Sequence, residues 1–249
     1  MKIIIKGIVI KGEMRKSYFK NIYIVILLCL AGCSQQTPEQ LCETELNAST
    51  NLFQVNDFEK KKFFSMIESD LPKFQEYFKE AAQLSDVDWR MIAAIGFQES
   101  QWNPEAVSAM GVQGIMMLTE DTAKDFNVTD RQDPEQNILA GSLHFSNINQ
   151  QISNLGIIDE RFYFTLTAYN IGFSNFRRAW KEYENQPFPE WKSFKKPLSE
   201  LSGKEVYFVD LNNYPRGEQA IDFTEKVSDY YLLLGAYTSL ENKIANSLY

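Results

Sequence analysis

Glu99 is the residue on which a catalytic reading of this chain can be built. It stands in W-R-M-I-A-A-I-G-F-Q-E-S-Q-W-N-P-E-A, residues 89–106. It lies seven residues after Ile92 and three after Gly96. At about 100° per residue, both spacings put it on the apolar stripe of a helix, near the helix end. Ionised carboxylates rarely go there without a partner. A carboxyl group so placed, with a loop folded over it, is an acid that keeps its proton near neutral pH. The competing reading is a helix-end carboxylate bonded to loop amides. Gly96, a poor helix former one turn before Glu99, predicts the close approach of another segment. The Gly-punctuated run G-V-Q-G-I-M-M-L-T of residues 111–119 supplies that loop.

The elements that must hold the acid are helical. Apolar residues recur at three- and four-residue steps over 58–83, with a break at Asp70 before Leu71-Pro72. Ser85, with Asp88 three residues on, resembles a capping box for the helix that carries Trp89, Ile92, Ala93, Gly96 and Phe97. Asn103-Pro104 ends it. Thr119 caps a short helix with Glu120 and Asp121 in its first turn. Asp133-Pro134-Glu135-Gln136 starts another, bearing Ile138, Leu139, Phe145, Ile148 and Ile152. Asp159 is expected to cap a helix that carries Phe162, Leu166, Tyr169 and Asn170 and stops at Gly172. One more spans about 174–183. The region 187–215 is the least regular, with a short strand expected at 206–209. A last helix spans about 218–240. The fold class is all-α (α-dominated), with about eight helices and almost no sheet.

Composition narrows the function. Hydrophobic content of 44% and aromatic content of 14% fit a globular protein with a real core. Residues 1–32 hold six cations and one anion; removing them from 25 and 33 leaves 19 against 32, a net of −13. Such a body is no nucleic-acid binder, because phosphate neutralisation needs a basic face. Nor should it adhere electrostatically to anionic lipid. Three cysteines and the single histidine, His144, offer no metal-ligand spacing, and no disulfide pair is expected within the domain. His144 is read as a surface or packing residue. No metal and no cofactor are expected.

The N-terminus reads as an address. Arg15, Lys16 and Lys20 precede an apolar run over 22–30, too short to span a bilayer comfortably. Leu30-Ala31-Gly32-Cys33 resembles a bacterial lipobox. That resemblance implies a signal peptide over 1–32, cleavage before Cys33 and acylation of Cys33. Several acyl chains anchor a protein stably. Ser34 after the cysteine points to the outer membrane. Met14 begins a complete signal by itself, so translation is expected to start there; precursor peptides from residues 1–13 would refute this. The polar stretch over 33–57 is a lipid-anchored tether, with an r.m.s. reach of roughly 25 Å. The catalytic domain is then 58–249.

Three blocks in order, Glu99-Ser100, then Gly111 to Thr119 followed by Thr122-Ala123, then Ala168-Tyr169-Asn170-Ile171-Gly172, resemble the soluble-lytic-transglycosylase family. Asp133-Pro134 and Asn137-Ile138 fit between the second and third blocks. Together they cover about 86–172. The resemblance implies a lysozyme-like fold. It also implies cleavage of the β-1,4 bond between N-acetylmuramic acid and N-acetylglucosamine in peptidoglycan, with 1,6-anhydro ends as product. Glu99 would be the acid and then the base, walled by Phe97, Met116, Met117 and Tyr169. Ser100, Met117, Tyr169, Asn170 and Trp102 would contact substrate. Asn170 is also read as a helix cap, and Trp102 equally as a core residue or an exposed hydrophobe. The expected partners are glycan strands and, through Cys33, a membrane; the chain is expected to be a monomer facing the periplasm.

Tyr214-Pro215-Arg216-Gly217, the helix after it and Met117 resemble one branch of that family. Members of the branch normally carry a solute-binding-like domain before the catalytic one, and none is expected between Cys33 and Phe58. Gln219 stands where the family often has Glu, with Glu218 adjacent. Two other classes fit the same residues: a goose-type lysozyme-like hydrolase, which shares fold and acid, and a non-catalytic peptidoglycan-binding lipoprotein.

Overall fold

The computed structural model describes residues 54–186, 189–200 and 216–247, with side chains to 241. The signal, Cys33, most of the tether, the strand expected at 206–209 and Tyr214-Pro215 lie outside the described residues. Among the described residues there are nine helices and no strand, as the all-α expectation required. In chain order they are α1 Asp57–Ser69, α2 Leu71–Ser85, α3 Trp89–Ser100, α4 Glu120–Asp125 and α5 Pro134–Ser153. They continue with α6 Arg161–Ile171, α7 Phe173–Lys181, α8 Trp191–Glu200 and α9 Arg216–Ser247. None of the described helices is long and apolar enough to cross a membrane.

Helix α3 runs through the middle of the larger core. All its residues from Met91 to Phe97 are buried, and α2 and α9 pack along it. This explains why its sequence is apolar nearly all round. Helix α5 lies along α2 and α6, and α9 also covers α6. A second core joins α6, α7, α8 and the start of α9 through Phe164, Phe176, Trp180, Trp191 and Phe194. Tyr169 is packed against both cores.

Several helix starts are where the sequence puts them. The Thr119 hydroxyl accepts from Thr122 N at 3.0 Å, and Asp133 Oδ1 accepts from Gln136 N at 2.9 Å. Others differ. Ser85 is the last residue of α2 and its hydroxyl donates to Ala81 O; the cap of α3 is Asp88, which accepts from Arg90 N. Helix α6 has Glu160 at its cap, with left-handed φ of 52° and no side-chain cap bond, so Asp159 does not cap it. Helix α8 was not expected at all. It has Pro197 inside it and only three buried residues, Trp191, Phe194 and Leu198; its stability comes from the second core, which local pattern does not reveal.

The folded body also starts earlier than expected. Asp229 on α9 accepts from Gln54 N at 2.6 Å and Val55 N at 3.1 Å, and Val55 is buried. Asn56 and Glu59 then form a reciprocal capping box on α1. Residues 54–57, read as the end of the tether, are part of this clasp.

Candidate active site

The site forms where α3 stops. Gln101 and Trp102 both take left-handed backbone, φ 56° and 57°, and reverse the chain abruptly. The reversal drives Trp102 back into the core. Its ring is 1% exposed, lies 5.0 Å from Phe97 and 5.8 Å from Phe63, and donates through Nε1 to Ala93 O at 2.8 Å. Trp102 therefore cannot stack on a ligand, which corrects its assignment as a substrate contact.

The chain returns over α3 as a small irregular hairpin. Val107 pairs with Gln113, and Gln113 with Leu118. Gly114, at φ +83°, has no room for a Cβ, which would fall 2.1 Å from Arg131 O. Ile115 and Met116 are buried, while Met117, at φ 47°, is half-buried. The close approach expected at Gly96 is real: a Cβ there would meet Ile115 Cγ2 at 3.0 Å. Ser100 ties the two segments together. Its hydroxyl lies 2.8 Å from Ile115 O and 3.3 Å from Gly96 O, and accepts from Asn103 N at 3.1 Å.

Glu99 sits at this crossing, half-buried. Among the described residues no hydrogen bond or ion pair reaches its carboxyl group. Desolvation by burial raises its pKa to about 8, because the protein around it disfavours the charged form and no partner compensates. The helix-end carboxylate bonded to loop amides is not what the structure contains. The wall differs in one respect from expectation. Phe97 points into the aromatic cluster with Phe63, Trp102 and Tyr230, since two helical residues turn it about 200° from Glu99.

Tyr169 arrives from α6. Its hydroxyl donates to Met116 O at 3.4 Å, and its ionisation is held well above the ordinary tyrosine value by burial and by the neighbouring Glu99. His144 on α5 lies against the Tyr169 ring at 5.6 Å and against Phe126 at 6.1 Å. Burial lowers its pKa. Asn170 is half-buried, and no side-chain hydrogen bond ties it to its helix end among the described residues. That end is closed instead by Asn175 Nδ2 donating to Ile171 O at 2.7 Å, and Gly172 takes φ 84°. Gln219 is half-buried on α9, one turn before Phe223, whose ring faces Tyr169 at 6.5 Å; Glu218 is exposed. A groove of about 540 Å³ lies at the opposite end of α3, lined by Asp88, Met91, Phe145, Tyr163 and Tyr231, and Glu99 is not part of it. No group of His, Cys, Asp and Glu among the described residues is arranged to hold a metal ion.

Sequence reasoning missed the role of Asn137. It is fully buried, with Oδ1 accepting from Met116 N and Nδ2 donating to Gln113 O and Arg131 O. The available signal was an amide four residues before Gly141 and eight before Phe145, on the buried stripe of α5.

Residues 76–192 match the family model of the transglycosylase SLT domain. The chain is 38% identical over 183 residues to the membrane-bound lytic murein transglycosylase F of Hahella chejuensis, covering 73% of this chain and 36% of that protein. It is 38% identical over 187 residues to the Yersinia enterocolitica protein of the same name, covering 74% and 38%. The chain thus spans little more than a third of the length of these relatives. An inactive mutant of the lytic transglycosylase Slt from Pseudomonas aeruginosa aligns with a TM-score of 0.48 and 17% identity, over 72% of this chain and 28% of that one. Residues 76–192 of this chain thus match a transglycosylase SLT domain, and about three quarters of its length is homologous to a part of the membrane-bound lytic murein transglycosylases F.

Proposed function

We propose that this chain is a peptidoglycan lytic transglycosylase with Glu99 as its one acid and base. Glu99 protonates the glycosidic oxygen between N-acetylmuramic acid and N-acetylglucosamine, and the bond from C1 to that oxygen breaks. The N-acetyl group of the substrate supports the cationic C1. The C6 hydroxyl of the same sugar attacks C1, and its proton passes to the Glu99 carboxylate. The product is a 1,6-anhydro end, water is not consumed, and the acid is regenerated. Glycoside hydrolysis ordinarily needs a second carboxylate, whereas here the substrate supplies both the nucleophile and the stabilising group.

The observation that carries this reading is a half-buried carboxyl group at the crossing of α3 and the loop, with no hydrogen-bond or ion-pair partner among the described residues, its pKa raised to about 8 by desolvation. Tyr169 beside it, Ser100, Met117 and Asn170 line the approach to substrate. Gln219 on α9 lies one turn before Phe223, whose ring faces Tyr169, and as a neutral amide it adds no negative charge there. Residues 1–32 serve as a signal peptide, and Cys33 carries the acyl chains that hold the protein on the outer membrane, facing the periplasm, as a monomer.

Purified sacculi test the chemistry. Wild type should release muropeptides with anhydro ends, the rate falling roughly tenfold per unit above pH 8, and Glu99→Gln should release none. Reducing ends from the wild type would assign hydrolysis of the lysozyme kind. Equal release by both proteins would remove Glu99 from the mechanism, and none from either would leave a binding protein. Palmitate labelling lost in Cys33→Ala would establish the anchor.

A further inference from the structure

Asn137 has no polar valence facing solvent. Its Oδ1 accepts from Met116 N at 2.7 Å. Its Nδ2 donates to Gln113 O at 3.0 Å and to Arg131 O at 2.7 Å. One side chain thus binds two stretches of main chain to α5, the run over α3 and the approach to α5 itself. Gly141, one turn on, lies on the same face: a Cβ there would fall 2.6 Å from Met116 Sδ and 2.8 Å from Met116 Cβ. Gly114 completes the seat, since a Cβ on it would fall 2.3 Å from Asn137 Nδ2. The loop is wedged between Gly96 and Ser100 on α3 and Asn137 and Gly141 on α5.

We propose that Asn137 is a positioning residue for the acid: by holding residues 114–117 against α3, it fixes how much water reaches the Glu99 carboxyl group and where the Tyr169 hydroxyl rests. This rests on the reading of Glu99 as the acid. Asn137 touches the loop backbone and acts on Glu99 through it. An apolar side chain would leave Met116 N and Arg131 O without a partner, Gln113 O keeping its bond from Leu118 N, and the loop would shift to find water for them. Water at the loop is water at the acid, so the carboxyl would ionise more easily. The titratable groups on the elements around it are Tyr169 on α6, His144 on α5 with Asp125 of α4 acting on it, and Tyr230 on α9 behind Phe97. The Asn137→Ala substitution changes the charge of none of them.

The experiment titrates Glu99 by NMR in protein labelled with 13C at the glutamate carboxyl, the signal being assigned by its absence from Glu99→Gln. It needs no substrate. Wild type should titrate near 8, and Asn137→Ala at least about one pH unit lower. On soluble glycan strands the basic limb of kcat/KM should move down with it, with kcat falling about twofold at pH 7 and about tenfold at pH 9 for a one-unit shift, and KM changing by less than about threefold. A residue that merely stabilises the fold would lower Tm and leave the limb in place. Folded Asn137→Ala in which Glu99 titrates as in wild type overturns the proposal. If that variant does not fold, Gly141→Ala serves. It displaces Met116 while improving helix propensity, and the same downward movement is expected; an unchanged titration again overturns the proposal. If the wild type makes no anhydro product, the lytic reading fails alone, and the titration still decides the role of Asn137.

Discussion

The hydroxyl of Tyr169 reaches the backbone oxygen of Met116 at 3.4 Å, joining two segments 53 residues apart. The contact brings the third of the three sequence blocks against the second, beside Glu99 of the first. It also gives Tyr169 two duties. It pins the loop, and it keeps a hydroxyl near the Glu99 carboxyl group, which the proposed mechanism needs protonated. Tyr169→Phe removes the hydroxyl and keeps the ring that packs on Phe145, His144 and Phe223. The expected result is a fall in kcat of about tenfold to a hundredfold with a Tm within a few degrees of wild type. Steady-state kinetics on glycan strands and a thermal melt check both.

The buried acid should be visible in stability as well as in rate. Glu99 has a folded pKa of about 8 against a reference value of 4.5, so between those values the folded state holds a proton that the unfolded state releases. Stability from this group is full below about pH 4.5, declines through the window and is lost above pH 8. Glu99→Gln has no such dependence. Its melting temperature relative to wild type should therefore rise as pH is raised from 5 to 9. A difference that stays constant across that range would mean that the carboxyl is not buried in the folded protein.

Trp102 distinguishes core from cleft. Trp102→Ala empties a fully buried site and should cost about 3–5 kcal/mol, a large part of the stability of an ordinary domain. Trp102→Phe retains most of the ring packing and should fold with KM unchanged. Urea denaturation and kinetics report the two quantities separately. A higher KM in folded Trp102→Phe would return the residue to the substrate groove.

Gly114→Ala should be among the most damaging single changes in the loop. The backbone there is left-handed, and the added carbon meets Arg131 O, a main-chain atom that cannot swing away. The expected loss is about 2–4 kcal/mol, with activity reduced in whatever remains folded. Gly111→Ala is the control. It shares the positive φ, but no atom lies within 4 Å of the added carbon, so about 1 kcal/mol of backbone strain is the whole expected cost.

Much of this protein was legible in the sequence because its signals are local. Helical periodicity, the Thr119 and Asp133 caps and the Gly172 stop depend on residues within one or two turns of each other, and each is where the pattern puts it. Glu99 was legible because an acid on an apolar stripe is unusual at any helix end. Helix α8 was not, since it is held by aromatic packing against α6, α7 and α9 that its own ten residues do not encode. Neither was the burial of Trp102, which follows from two consecutive left-handed residues, a backbone choice that Gln and Trp do not advertise. Asn137 shows the limit most clearly. Its amide satisfies main-chain groups 6, 21 and 24 residues away in sequence, so only the folded chain reveals what it is for. The sequence alone determined which residue could be the acid. The tertiary structure decided that it would be half-buried and desolvated with no hydrogen-bond or ion-pair partner among the described residues, because desolvation is a property of everything packed around a group and not of its neighbours in the chain.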